Sequence, residues 1–188
     1  MKTDNVDYLT VHFFERSKNY SFDEWILLNK LAMQIDYAKH HLERIKEIDQ
    51  ALKTEKMKPL ESSKLIMEEA MENECLFVFL NKVAKYIDLL GKRGNELMSR
   101  FTSLNNQTAN QWVEARNWFE HPQKKFQKKD QKQHGDLGHN MSNGMTSIGG
   151  EEFDVLNETP KVLSQIEEAL HGMFEKPQLH NKSINFKS

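Results

Sequence analysis

Leu28, Leu31, Ile35, Ala38, Leu42 and Ile45 follow one another at steps of three and four. That rhythm keeps one side of a helix apolar and predicts a long amphipathic element. It opens at Ser21-Phe22-Asp23-Glu24, a capping-box pattern in which hydroxyl and carboxylate satisfy backbone donors of the first turn. Carried on toward Leu52, the helix covers about 30 residues, or roughly 45 Å, a length suited to a bundle or a dimer. The stretch from Lys53 to Pro59 is polar and reads as a turn, with Pro59 near the start of the next helix. Between Glu61 and Leu90 apolar residues are dense. Leu76, Leu80, Val83, Ile87 and Leu90 form a stripe, and Phe77 and Phe79 widen it beyond one face. A helix apolar on more than one side packs against more than one neighbour, either within the chain or in a second subunit. Gly91 and Gly94 punctuate its end.

The remaining elements are shorter. Tyr8 to Phe14 is an apolar stretch that fits a strand or a helical turn equally well. A helix through Leu97, Met98 and Phe101 leads to Asn105-Asn106, and Thr108 with Gln111 then reads as another capping box. Trp112, Ala115 and Phe119 follow at helical spacing, and Pro122 ends that helix at or just before His121. From His134 to Gly150 the chain is rich in Gly, Asn and Ser and reads as a mobile loop. Inside it, Gly149-Gly150 between Thr146-Ser147-Ile148 and Glu151-to-Val155 fits a two-residue hairpin turn. Thr159-Pro160 opens a last helix with Val162 or Leu163, Ile166, Ala169 or Leu170, and Phe174 on its apolar face. The expected fold is mainly all-α. It is a bundle of four to five helices, two of them long and antiparallel, with a small β-hairpin before the last helix. As a single domain, 1–188, it divides into core helices at about 21–121, a basic segment and loop or hairpin at 122–158, the C-terminal helix at 159–176 and a tail at 177–188.

Composition narrows the function classes. With 38% hydrophobic and 29% charged residues in 188, the chain is long enough for a substantial core. A net charge of -2 gives no overall attraction to polyanions, so any contact with nucleic acid must be local. Cys75, the single cysteine, lies among apolar residues and reads as a buried core thiol. Neither a long apolar run nor a signal-like N-terminus is present, so the expectation is a cytoplasmic protein without a membrane partner.

The chemistry concentrates in Arg116-Asn117-Trp118-Phe119-Glu120-His121. An Arg fork clamps a phosphate through two parallel hydrogen bonds, and His is the side chain that exchanges protons near neutral pH. On an ideal helix, positions five apart diverge by about 140°, so Arg116 and His121 converge only if the last turn loosens at Pro122. An Arg, a polar residue, three variable residues and a His at the end of a helix resemble the signature of the HEPN superfamily (higher eukaryotes and prokaryotes nucleotide-binding domains). Arg116, Asn117 and His121 fill its three defined places. The resemblance implies a metal-independent endoribonuclease with no cofactor, whose motifs from two protomers meet in one cleft. The expected partners are RNA, a second copy of the chain and a cognate antitoxin or regulatory protein, as in toxin and defence systems. Arg116 and His121 would be catalytic, with Asn117 orienting His121 or the substrate. The hairpin region departs from the family's minimal helical domain. A non-catalytic helical dimer module that binds nucleotide, RNA or a partner protein is the alternative.

Other candidates are weaker. Lys124, Lys125, Lys128 and Lys129 could track a phosphate backbone beside the motif, although such a run is ordinarily a solvated helix face. His134, Asp136 and His139 match no zinc spacing, so no metal is expected. Asp36 and His40, with His41 adjacent, read as an exposed helix pair, and Met67, Met71 and Met98 as core packing. A metal-dependent phosphohydrolase would need carboxylate and His ligands on facing helices, and no such inward-facing set is visible.

Overall fold

The capping box at Ser21 forms. In a computed structural model that describes residues 4–16, 20–54, 57–95, 112–113, 115–117, 140–142, 145–148 and 151–175, Glu24 Oε2 accepts from Ser21 N at 2.9 Å and from Ser21 Oγ at 2.8 Å. Glu24 N in turn donates to Ser21 Oγ at 3.3 Å. Helix α2 (Phe22–Thr54) starts there and runs for 33 residues, and every residue of the stripe from Leu28 to Ile45 is buried. Helix α3 (Pro59–Lys92) has proline at its first position, where a missing N–H costs nothing. Glu61 Oε2 accepts from Lys58 N just before it. Gly94, at φ 85°, takes the left-handed conformation that ends the run.

The two long helices are antiparallel. Along their seam Asp23 meets Arg93, His41 meets Glu72 and Arg44 meets Glu68, one number falling as the other rises. Leu76, Leu80, Val83, Ile87 and Leu90 are buried as the spacing predicts, and so is Phe77. The N-terminal apolar stretch, open between strand and helix in the sequence, is helical within α1 (Asp4–Arg16). Its start is held by Asp36 of α2, whose carboxylate accepts from Asn5 N, Asn5 Nδ2 and Val6 N. Helix α4 (Glu158–Glu175) begins one residue before Thr159 and buries Leu163, Ile166, Leu170 and Met173.

The hairpin before α4 is present, and a third strand joins it. Strands β1 (Asn140–Ser142), β2 (Met145–Ile148) and β3 (Glu151–Asp154) make an antiparallel sheet in that order. Ile148 pairs with Glu151, so positions 149 and 150 alone separate β2 from β3. β1 was hidden because its three residues, Asn-Met-Ser, carry neither β-branched side chains nor an alternating pattern. The sheet lies on α3. Phe153 meets Phe77 edge to face at 5.2 Å, and Thr146 Oγ1 donates to Asn73 Oδ1 at 3.1 Å. One apolar cluster then unites Leu9, the stripes of α2 and α3, Trp112, Ala115, Phe153, Val155 and the inner face of α4. The architecture is a helical bundle with a small sheet packed on one long helix.

Three sequence expectations are corrected. Cys75 is exposed, because α3 turns it away from the side that carries Leu76. Met67 and Met71 are 69% and 67% exposed and stand on the outward face of α3. Asp36 is buried at 4% exposure and caps α1, so it forms no exposed pair with His40.

Candidate functional site

Two of the three motif residues are described. Positions 112–113 and 115–117 are helical, and Trp112 and Ala115 anchor this segment in the shared core. A step of four turns the helix by about 40° beyond a full turn, which sets Arg116 at the edge of the face that Trp112 buries; Asn117 lies about 140° round from Trp112. Both are accordingly half-buried, neither sealed in the core nor fully solvated. His121, the capping pair Thr108 and Gln111, Phe119, the lysines 124, 125, 128 and 129, and the cluster His134, Asp136 and His139 lie outside the described residues. So do Met98 and the tail.

A second concentration of chemistry went unread in the sequence. Glu69 of α3 is only 5% exposed, and its Oε1 finds no hydrogen-bond donor among the described residues. Burial pushes its carboxyl up to about 7; Asp49 of α2 adds to the rise and Lys53 opposes it. One turn on, Asn73 is wholly buried, donates from Nδ2 to Glu69 O at 2.9 Å and accepts from Thr146 of β2. The signal was available: Glu69 and Asn73 stand four and three positions apart in line with Leu76 and Leu80. Polar residues on an apolar stripe mark buried polar contacts.

Asp36 anchors a third network. Asn5 spends its amide N–H on Asp36 at 2.7 Å, leaving Oδ1 to accept from His171 Nε2 at 2.9 Å. That assignment makes Nε2 the protonated nitrogen of the ring. Tyr8 stacks on the imidazole at 4.0 Å. α1, α2 and α4 are thereby tied through one chain of polar groups. Burial pushes the Asp36 carboxyl above its ordinary value, and the donors from Asn5 and Val6 hold the rise back.

On the outer seam of α2 and α3, His41 Nδ1 contacts Glu72 Oε2 at 2.6 Å, and Tyr37 and His41 both stack on Phe79. Among the described residues no group of three or more His, Cys, Asp or Glu side chains could hold a metal ion, and no helix is long and apolar enough to cross a membrane. Comparison of the chain with models of protein families, with curated proteins and with solved structures returns no match.

Proposed function

We propose that this chain is a metal-independent endoribonuclease of the HEPN type that works as a homodimer, as a toxin or defence effector. The observation that carries the reading is the placement of Arg116 and Asn117. They sit half-buried on a helical segment anchored in the core by Trp112 and Ala115, neither sealed in the interior nor fully solvated. RNA carries its own nucleophile, so the protein need only move protons and neutralise charge. His121 of one protomer takes the proton of the 2′-hydroxyl, and the 2′-oxygen attacks phosphorus. The 5′-oxygen leaves with a proton supplied by the second protomer's motif, giving a 2′,3′-cyclic phosphate and a 5′-hydroxyl. Arg116 holds the phosphate through its fork, and Asn117 orients the imidazole or the substrate. Lys124, Lys125, Lys128 and Lys129 would follow the backbone beside the cleft.

The test is cleavage of a mixed-sequence RNA in EDTA by the native protein and by folded Arg116→Ala and His121→Ala variants. Cleavage that survives chelation and is lost in both variants supports the proposal; full activity of His121→Ala sinks it. One observation favours the alternative of a non-catalytic dimer module. Leu60, Met67 and Met71 line the outward face of α3, an apolar stripe of the kind that partner helices cover. A native protein that cleaves nothing but binds RNA or a protein would establish that module instead.

A further inference from the structure

A groove of about 820 Å³ runs between α2 and α4, on the side of the bundle where Lys39 faces Glu167. Its size falls within the range of small-molecule sites. Leu42 and Leu163, both buried, form its floor, and Leu156 and Pro160 continue the apolar surface. The charges along it are ordered. Lys39, Lys46 and Lys53 recur every seven residues, which brings all three to one line of α2 facing the groove. The outer two are engaged: Lys39 Nζ contacts Glu167 at 2.9 and 3.1 Å, and Lys53 Nζ contacts Asp49 at 2.7 Å.

Lys46, between them, pairs with no carboxylate among the described residues. Glu43 lies three positions before it, about 60° round the helix, toward the outer rim. Glu43 belongs to the lining at that rim, and the middle of the groove offers above its apolar floor an ammonium held in no ion pair with a described residue. Each end is closed by an ion pair. A concave site with an apolar floor and a few convergent polar groups is how ligand sites are ordinarily built.

We propose that this groove binds a small amphipathic anion: an apolar chain or ring lying on Leu42, Leu156, Pro160 and Leu163, with its carboxylate or phosphate held by Lys46. Neither Arg116 nor Asn117 lines the groove, and the proposal does not depend on the ribonuclease reading. Ser164 on the α4 wall is exposed and lies beside the floor residue Leu163, so a bulky side chain there would fill the groove without entering the core.

The experiment is a titration of the full chain with octanoate, followed by amide chemical shifts, with octyl phosphate as the phosphate head group and octylammonium as the cationic counterpart. Saturable shifts centred on Leu42, Lys46, Leu156 and Ser164 are expected with the two anions. Lys46→Glu should weaken them by about tenfold or more, the loss of one charge-assisted contact, and Ser164→Trp should abolish them. Lys85→Glu, on the exposed face of α3, serves as the charge control and should leave binding unchanged. Equal affinity for octylammonium, unchanged binding in Lys46→Glu, or shifts that fall on the α3 stripe around Met67 instead would each overturn the proposal. So would the absence of saturable binding by either anion.

Discussion

Glu69 shows how one side chain can set the pH response of the fold. In the unfolded chain it titrates near 4.5, and in the folded protein near 7. The native state therefore keeps its proton where the unfolded chain has already lost it. Stability must fall as pH rises from about 4.5 to about 7 and stay low above that, by an amount on the order of 3 kcal/mol if the whole displacement is expressed. Glu69→Gln keeps the shape of the protonated acid and removes the ionisation. Urea denaturation should find the variant and the native protein equally stable at pH 4, and the variant more stable at pH 8; equal midpoints at pH 8 would refute this origin of the pH dependence. Asp36 is a different case because every lone pair it spends on Asn5 and Val6 organises the start of α1. Asp36→Ala strands those donors and should cost about 2 kcal/mol in the same assay. Cys75, by contrast, has its thiol pushed up by partial desolvation and by Glu72 and Glu74, which disfavours the reactive thiolate despite its exposure.

At the scale of elements, the α2–α3 hairpin was legible because its apolar positions recur at helical spacing and its ends carry chemical punctuation. Ser21 and Glu24 open α2, Pro59 opens α3 and Gly94 closes it. Leu76→Ala within that seam should cost about 2–5 kcal/mol, as deletion from a packed core does. The outward stripe behaves oppositely: Met67→Lys or Met71→Lys should change monomer stability by no more than about 0.5 kcal/mol. Thermal melts of the three variants check both statements, and a large loss in either methionine variant would place that face in contact with something. What remained illegible has a common cause. Methionine at an apolar position does not reveal whether a neighbour faces it, and periodicity defines a stripe without saying how much of its length is covered. Exposure of Met67, Met71 and Cys75 follows from how far the sheet and α2 extend over α3, a tertiary fact with no local trace. Strand β1 shows the same limit, since its pairing with β2 supplies order that three polar-rich residues do not encode. For the motif, Trp112 and Ala115 were readable as anchors by spacing alone, whereas convergence of Arg116 with His121 depends on the backbone around Pro122, which no periodicity fixes.

For the whole molecule, the proposed mechanism makes a demand that a self-contained active site would not. If general base and general acid come from two protomers, a chain of 22.1 kDa has full activity only when paired with another intact chain. An excess of His121→Ala subunits should then poison the native protein, since exchange would place nearly every intact subunit beside a defective one. At about tenfold excess, activity per native subunit should fall roughly tenfold, the statistical outcome for an isologous dimer that exchanges freely. The mixture must be left until exchange is complete, and with a mass tag fused to the variant, sedimentation should show mixed dimers under the same conditions. Activity that stays proportional to native protein while mixed dimers form would mean that each protomer works alone. That result would remove the composite site while leaving Arg116 and His121 as candidates within one chain. A loss of activity without mixed dimers would instead indicate competition for RNA, which a binding-competent variant would also produce, so the two measurements have to be read together.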